Sequence, residues 1–368
     1  MKYKFSQSNE LITPALVYYK DQLAINLEEV IELAGSVDRL WPHVKSHKAS
    51  EMVKMQMDRG IHRFKCATIA EAEMVAEQGA EAVILAYPMV GPNIGRFIKL
   101  SLAYPEVRFF AIGDEEGCLK KLAETSKEKG VETHVLIDVN MGMNRTGIPI
   151  PHLVHLFETV SDFEGIVVDG LHCYDGHQTA TELELRKASV RSVFAELQSV
   201  IRVLKEKQLK CDILVMGGTP SFPCYIDIPN VYCSPGTLFI NDYGYASRFK
   251  DLHIEPAAAI LTRVISVPKS GTFTLDLGYK GIASDPAGIR GKIVGLKHYN
   301  QLFQSEEHWV FKMEEGYEEE CPKVGEEFFV VPTHICPTSA LYPSIVVVEN
   351  QEMIDEWIVT ARNRKISY

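Results

Sequence analysis

Eight short apolar segments recur through the first two-thirds of this 368-residue chain, and their rhythm constrains the fold more than any other feature. They are LWPHVK (40–45), RFKCA (63–67), AVILAYP (82–88), VRFFAIG (107–113), HVLIDVN (134–140), IVVDGLHCY (166–174), DILVMGG (212–218) and VYCSPG (231–236). Between most of them lie stretches with helical period. In AEAEMVAEQGAEA, for example, Ala70, Met74, Val75 and Ala80 fall near one face. Short, continuous apolar strands suit a parallel sheet buried on both faces rather than a half-exposed antiparallel one. Eight strand–helix alternations over roughly 200–250 residues fit a (β/α)8 TIM barrel, expected here over residues 15–250. An open doubly wound sheet competes, but its three spaced glycines after the first strand are missing.

Beyond about residue 250 the rhythm changes. AAAILTRVISVPKSGTFTLDLGYKGI, HWVFKM, EEFFVVPTH and PSIVVVEN read as short strands separated by Gly, Pro and Asp turns. They predict a second, mostly-β domain over residues 251–368, joined by residues 1–14. The opening TPALVYYKDQLAINLEEVIELAG carries one strand and one helix, and that strand suits either domain.

A formal charge of −11 argues against nucleic-acid and anionic-membrane partners, which attract positive patches. No apolar run reaches bilayer-spanning length, and the start MKYKFSQSNE lacks the apolar core of a secretory signal. The eight cysteines are scattered without framework spacing and read as reduced residues of a cytoplasmic protein.

Barrel chemistry gathers at the C-terminal ends of the strands. The first segment ends in Pro42-His43-Val44-Lys45-Ser46-His47-Lys48, where alternation puts His43 and Lys45 on one face and Lys48 on the other. A lysine desolvated in a barrel mouth is pushed toward the neutral amine, the form that attacks an aldehyde; the alternative is a solvated loop lysine. The fifth segment leads into MGMNRTG, presenting Arg145 to a phenolate or carboxylate, or merely to solvent. The sixth ends in HCYDGH, where Tyr174 suits a heterocycle nitrogen, His177 suits a general base, and His172 reads as a rim residue. Gly217-Gly218-Thr219-Pro220-Ser221 and Ser234-Pro235-Gly236-Thr237 end the last two strands and together suit a neutral phosphate cradle. In the second domain, SEEH (305–308) is followed by PTHICPT (332–338). His334 and Cys336 stand two apart on what reads as an extended segment, a pair suited to zinc more than to manganese or magnesium.

Taken in order, PHVKSHK, MNRTG, GLHCYDGH, GGTPS, SPGTLFIND, SEEH and PTHICPT resemble the D-threonine aldolase and D-serine dehydratase family over nearly the whole chain. These are fold-type III pyridoxal-phosphate enzymes related to the alanine racemase N-terminal barrel. The resemblance implies that Lys45 carries pyridoxal 5'-phosphate as a Schiff base, that Arg145 approaches its ring, and that Tyr174 lies near its nitrogen. It also implies phosphate binding at Gly218, Thr219, Gly236 and Thr237, a divalent metal on His334 and Cys336, and His177 as base on a β-hydroxyl. A homodimer acting on small D-amino acids follows from the same resemblance. Two departures stand out: the second metal ligand is Cys336 where aldolases often have aspartate, and Ser339-Ala340 replaces a common asparagine.

The expected activity is therefore cleavage of a β-hydroxy-D-amino acid, D-threonine to glycine and acetaldehyde. The alternative is dehydration of D-serine or 3-hydroxyaspartate to ammonia and a 2-oxo acid. A racemase would need a tyrosine base such as Tyr317 or Tyr342. A non-catalytic cofactor carrier would not need the second domain.

Overall fold

The computed structural model describes residues 3–285 and 287–368. The chain opens with β1 (Ala15–Tyr19) and a helix over Lys20–Ala34. Then follow β2 (Arg63–Cys66), β3 (Ala82–Leu85), β4 (Arg108–Gly113), β5 (Thr133–Asn140), β6 (Ile148–Pro149), β7 (Ile166–Cys173), β8 (Ile213–Met216) and β9 (Tyr232–Cys233). Helices lie between most of these strands, among them Ile69–Glu77, Glu116–Glu128 and Leu183–Glu206. Their starts are set locally. The Thr68 side chain accepts from Glu71 N, and the Glu115 carboxylate accepts from the amides of Gly117 and Cys118.

The chain divides into two compact units. The first, Val30–Lys45 with Ala49–Gly236 and Asn363–Tyr368, holds a parallel sheet in the order β2-β3-β4-β5-β7-β8-β9, with short β6 beside β5. The segment read as the first strand forms no regular ladder. It makes two parallel bridges, Leu40 to Cys233 and His43 to Lys65, and these close the sheet on itself as an eight-staved barrel. Trp41 N donates to Cys233 O and His43 N to Pro235 O, while Pro42 O accepts from Lys65 N. Proline lacks the N–H that a full strand would donate here, so pairing is reduced to isolated bridges. Trp41, Ile84, Phe110, Ile112, Leu136 and Val215 fill the interior, and Trp41 Nε1 donates to Phe64 O at 2.8 Å.

The second unit comprises the N-terminal segment to Glu29, Ser46–Lys48 and Thr237–Arg362. Its strands, after β1, are β10 (Ala258–Lys269), β11 (Thr272–Leu275), β12 (Gly291–Ile293), β13 (Tyr299–Gln304), β14 (Trp309–Met313), β15 (Glu327–Pro332), β16 (Ser344–Glu349) and β17 (Glu352–Ile358). They form a nine-stranded sheet along β13-β14-β11-β10-β1-β16-β17, with β15 on β10 and β12 on β15. The boundaries differ from those expected at residues 15 and 250. β1 pairs antiparallel with β10 (Val17 opposite Ala259) and parallel with β16 (Val17 opposite Val346), so it belongs to this sheet. Val17, Tyr19, Ala259, Leu261, Phe329, Val346 and Val348 bury one face of it. β13 and β17 escaped the sequence reading because polar and charged residues interrupt their apolar runs. Among the described residues, no helix is long and apolar enough to cross a membrane.

Candidate active site

In the barrel unit the side chains gather around the ring of Tyr174, just beyond the C-terminus of β7. Lys45 Nζ lies 5.8 Å from its centroid, Lys65 Nζ 5.4 Å and Arg145 Cζ 5.0 Å. Lys45 sits on a single 3₁₀ turn, Val44–Ser46, and its amide donates to His43 Nδ1 at 3.3 Å. It is half-buried, whereas Arg145 is exposed on the loop after β5. The ring is seated by glycines. A Cβ at Gly218 would meet Tyr174 Cε2 at 2.7 Å, and one at Gly176 would meet its Oη at 2.2 Å. Glycine is required at both positions because any side chain would displace the ring.

Below this ring the barrel interior turns from apolar to ionisable. Leu136 and Asp138 share a face of β5, so Asp138 stands one layer above the apolar core. His172, opposite Asp138 in the β5–β7 register, pairs its Nδ1 with Asp138 Oδ1 at 2.7 Å. His172 is 4% exposed, so the rim position expected for it is corrected to an interior one: its even spacing from Gly170 turns it inward. Burial holds its pKa below the ordinary value despite the Asp138 partner. Asp138 Oδ2 and His172 Nε2 are buried without hydrogen-bond partners.

The loops after β7 and β8 are tied by a second buried carboxylate. Asp175 is 1% exposed and accepts from Ser221 Oγ and from Tyr225 Oη, the latter at 2.8 Å. Ser221 Oγ in turn accepts from Gly218 N at 3.0 Å. Desolvation raises the pKa of Asp175, and the two hydroxyl donors oppose it. Gly217 takes a left-handed backbone (φ 73°), which turns the Gly-Gly-Thr segment back on itself. Thr219 Oγ1 accepts from Gly236 N at 3.3 Å, so the turns after β8 and β9 converge as a neutral cradle of hydroxyl and amide groups. His177 packs against Gly142, where a Cβ would meet Nε2 at 3.1 Å; its Nδ1 is buried without a partner.

The unit thus brings Lys45, Arg145, Tyr174, Gly218, Thr219 and Gly236 to one end of the barrel. Lys65, Asp138 and Asp175 belong to the same end, and sequence reading passed over them. The signal for Lys65 was a charged residue set between Phe64 and Cys66 in mid-strand; in the fold it faces the interior opposite His43. A flat, polyanionic pyridine cofactor fits this set. Three cations surround one ring, a hydroxyl–amide cradle is at hand, and three buried polar atoms lack partners.

In the second unit, Cys336 Sγ lies 3.2 Å from both Thr237 Oγ1 and Ser46 Oγ. Thr237 opens the 3₁₀ turn Thr237–Phe239 within this unit. His334 and Cys336 do not share an extended segment as expected. His334 precedes a short helix, Ile335–Ser339, held by Ile335 N donating to Asp242 Oδ2 and Thr338 Oγ1 donating to His334 O. Cys336 nevertheless hydrogen bonds the His334 imidazole, whose Nδ1 lies 2.5 Å from Asp285 Oδ2. Burial pushes the His334 pKa down, but the thiol and the carboxylate outweigh it and hold it up at about 9. A carboxylate on the far nitrogen is the usual orienting partner of a metal-bound histidine, so the donor set fits a divalent metal. Among the described residues, no group of three or more His, Cys, Asp or Glu side chains converges on a common point. SEEH forms the exposed turn between β13 and β14, with Glu306 paired to Lys280.

Residues 19–239 match the family described as alanine racemase, N-terminal domain, and residues 257–348 match the putative serine dehydratase domain. The chain is 28% identical to a D-threonine aldolase of an Arthrobacter species, over 95% of this chain and 92% of the relative. It is 25% identical to a 3-hydroxy-D-aspartate aldolase of Paracoccus denitrificans, over 97% and 93%. The crystal structure of D-threonine aldolase from Filomicrobium marinum superposes with a TM-score of 0.88 at 27% identity, covering 96% of each chain.

Proposed function

The chain belongs to the alanine racemase N-terminal domain family, and from that premise we propose that it is a pyridoxal-phosphate- and metal-dependent lyase cleaving a β-hydroxy-D-amino acid, in the manner of D-threonine aldolase. The observation that carries this reading is the convergence of Lys45, Arg145 and Lys65 on the Tyr174 ring beside the Gly218–Thr219–Gly236 cradle. The full-length similarity to D-threonine aldolase supports the choice of reaction.

Bound pyridoxal phosphate supplies the electron sink that bond cleavage at Cα needs. On this reading Lys45 holds the cofactor through its amine, Arg145 faces its ring oxygen and the Thr219–Gly236 turns take its phosphate. His177, with a buried and unpartnered Nδ1, removes the proton of the β-hydroxyl as the Cα–Cβ bond opens. His334 and Cys336 would hold a divalent metal, zinc by the softness of the thiolate, and that metal would supply Lewis acidity. The working assembly is a homodimer, and the exposed apolar side chains of Leu302, Phe303, Ile354 and Ile358 support it. Eight cysteines scattered without framework spacing suit a reducing, cytoplasmic setting.

The match to the putative serine dehydratase domain supports a second reading. There Lys45 takes the Cα proton, the β-hydroxyl leaves, and ammonia and a 2-oxo acid result. The racemase alternative loses one of its two candidate bases, because Tyr342 is buried and donates its hydroxyl to Gly281 O at 2.6 Å, while Tyr317 stacks on His298. Incubation with D-threonine and with D-serine, scoring acetaldehyde against ammonia, tests the assignment. Acetaldehyde from D-threonine is expected. Ammonia alone selects the dehydratase, and neither product from either substrate refutes both.

A further inference from the structure

Lys65 is among the largest side chains that the protein buries completely, at 1% exposure, and it stands on the interior face of β2 opposite His43. No role described above requires an amine there. The charged groups that face it come from every neighbouring element: Lys45 from the first segment, Asp138 from β5, Arg145 from the loop after β5, and Asp175 from the loop after β7. Lys65 is thus fully buried with two buried carboxylates, Asp138 and Asp175, while Lys45 is half-buried, Arg145 is exposed and His172 is held toward its neutral form. Burial penalises a charge held there, and Lys65 is the most buried of the three cations. Arginine cannot release a proton, and Lys45 is the less buried of the two lysines. The penalty is therefore relieved at Lys65, whose pKa falls to about 7 through burial first and the charge of Lys45 second.

We propose that Lys65 is a proton acceptor of this site, taking the proton that an incoming amino acid's ammonium must lose before its nitrogen can bond to the cofactor. The inference rests on the reading of Lys45 as the cofactor lysine. While Lys45 is bonded to the cofactor its nitrogen is no longer a free amine, and Lys65 is a second amine facing the same Tyr174 ring. The transfer balances: the substrate ammonium becomes an amine, Lys65 becomes an ammonium, and the proton passes to Lys45 when that amine is released.

The test has three arms. Competitive acetylation of the apoprotein with trace acetic anhydride, read peptide by peptide in a mass spectrometer, gives each lysine its own titration midpoint. Lys65 is expected near 7, and a midpoint in the ordinary lysine range, about 10, overturns the proposal without reference to activity. In the second arm, Lys65→Arg keeps a cation of similar reach but cannot accept a proton. It is expected to lower kcat/KM at least about 100-fold, within the usual span for a lost acid–base group, and to abolish the acidic limb near pH 7. Lys65→Ala is expected to recover activity with added ethylamine. A purely structural role predicts neither the change in pH profile nor the amine rescue, and absence of both overturns the proposal. In the third arm, borohydride reduction of the holoenzyme followed by peptide mapping separates this inference from its premise. Cofactor trapped on Lys45 keeps the premise whatever Lys65 does, and cofactor trapped on Lys65 overturns both.

Discussion

Replacing Tyr225 with phenylalanine removes one oxygen and leaves the ring, with its edge contact to Phe194, in place. The oxygen matters because Asp175 is buried and has two donors, Ser221 Oγ and Tyr225 Oη. Without Tyr225 Oη, one carboxylate oxygen is left buried without that donor. A lost hydrogen bond to a charged buried group costs about 1.5–3 kcal/mol. For a unit of this size, each kcal/mol lowers the melting temperature by about 2–4 °C, so Tyr225→Phe is expected to melt roughly 3–12 °C lower. The effect depends on pH, with a sign that can be worked out. Desolvation raises the folded pKa of Asp175 above its unfolded value, so this group's contribution to stability is present below the unfolded pKa and lost as pH rises through the folded one. The Tyr225 hydroxyl lowers the folded pKa, so its removal raises that value further. The deficit in the variant is therefore small in acid, opens as pH rises through the wild-type pKa, and is complete above the variant's. Calorimetry of the apoprotein at fixed concentration and scan rate, from acid to neutral pH, measures it. A variant that melts within 1 °C of the wild type at neutral pH, or whose deficit does not change with pH, refutes the assignment of Asp175 as the buried clamp of these loops.

Two further predictions follow from single contacts. A Cβ at Gly170 would lie 1.9 Å from Ile213 O, inside the β7–β8 ladder, so Gly170→Ala forces the barrel open and is expected to cost about 4 kcal/mol or more; soluble protein with an unchanged melting curve would contradict the register. Cys336→Ser removes the softer of the two proposed metal donors and is expected to weaken zinc binding on the order of tenfold or more, measured as metal retained after dialysis. Unchanged retention would take Cys336 out of the ligand set.

Much of the barrel was legible from the chain alone. Seven of the eight apolar segments are strands in the closed sheet, because a strand buried on both faces must be apolar along its length and shows this as a continuous run. LWPHVK was located correctly but mistaken for a regular strand, since Pro42 removes a donor whose absence only hydrogen-bond bookkeeping reveals. The placement of β1 was undecided, because its apolar run suits either sheet and only the ladders to β10 and β16 decide it.

The candidate site divides in the same way. Lys45, Arg145, Tyr174, His177 and the glycine turns could be named in advance, because strand ends in a barrel are where chemistry collects and local residue types carry that signal. Lys65, Asp138, His172 and Asp175 could not be ranked from sequence, because their significance is burial and mutual charge. Those properties arise only when strands distant in the chain bring them to one interior. Sequence by itself determined the eightfold rhythm and the residue types at each strand end. Tertiary structure alone decided which charges are desolvated together, and hence which amine is free to take a proton.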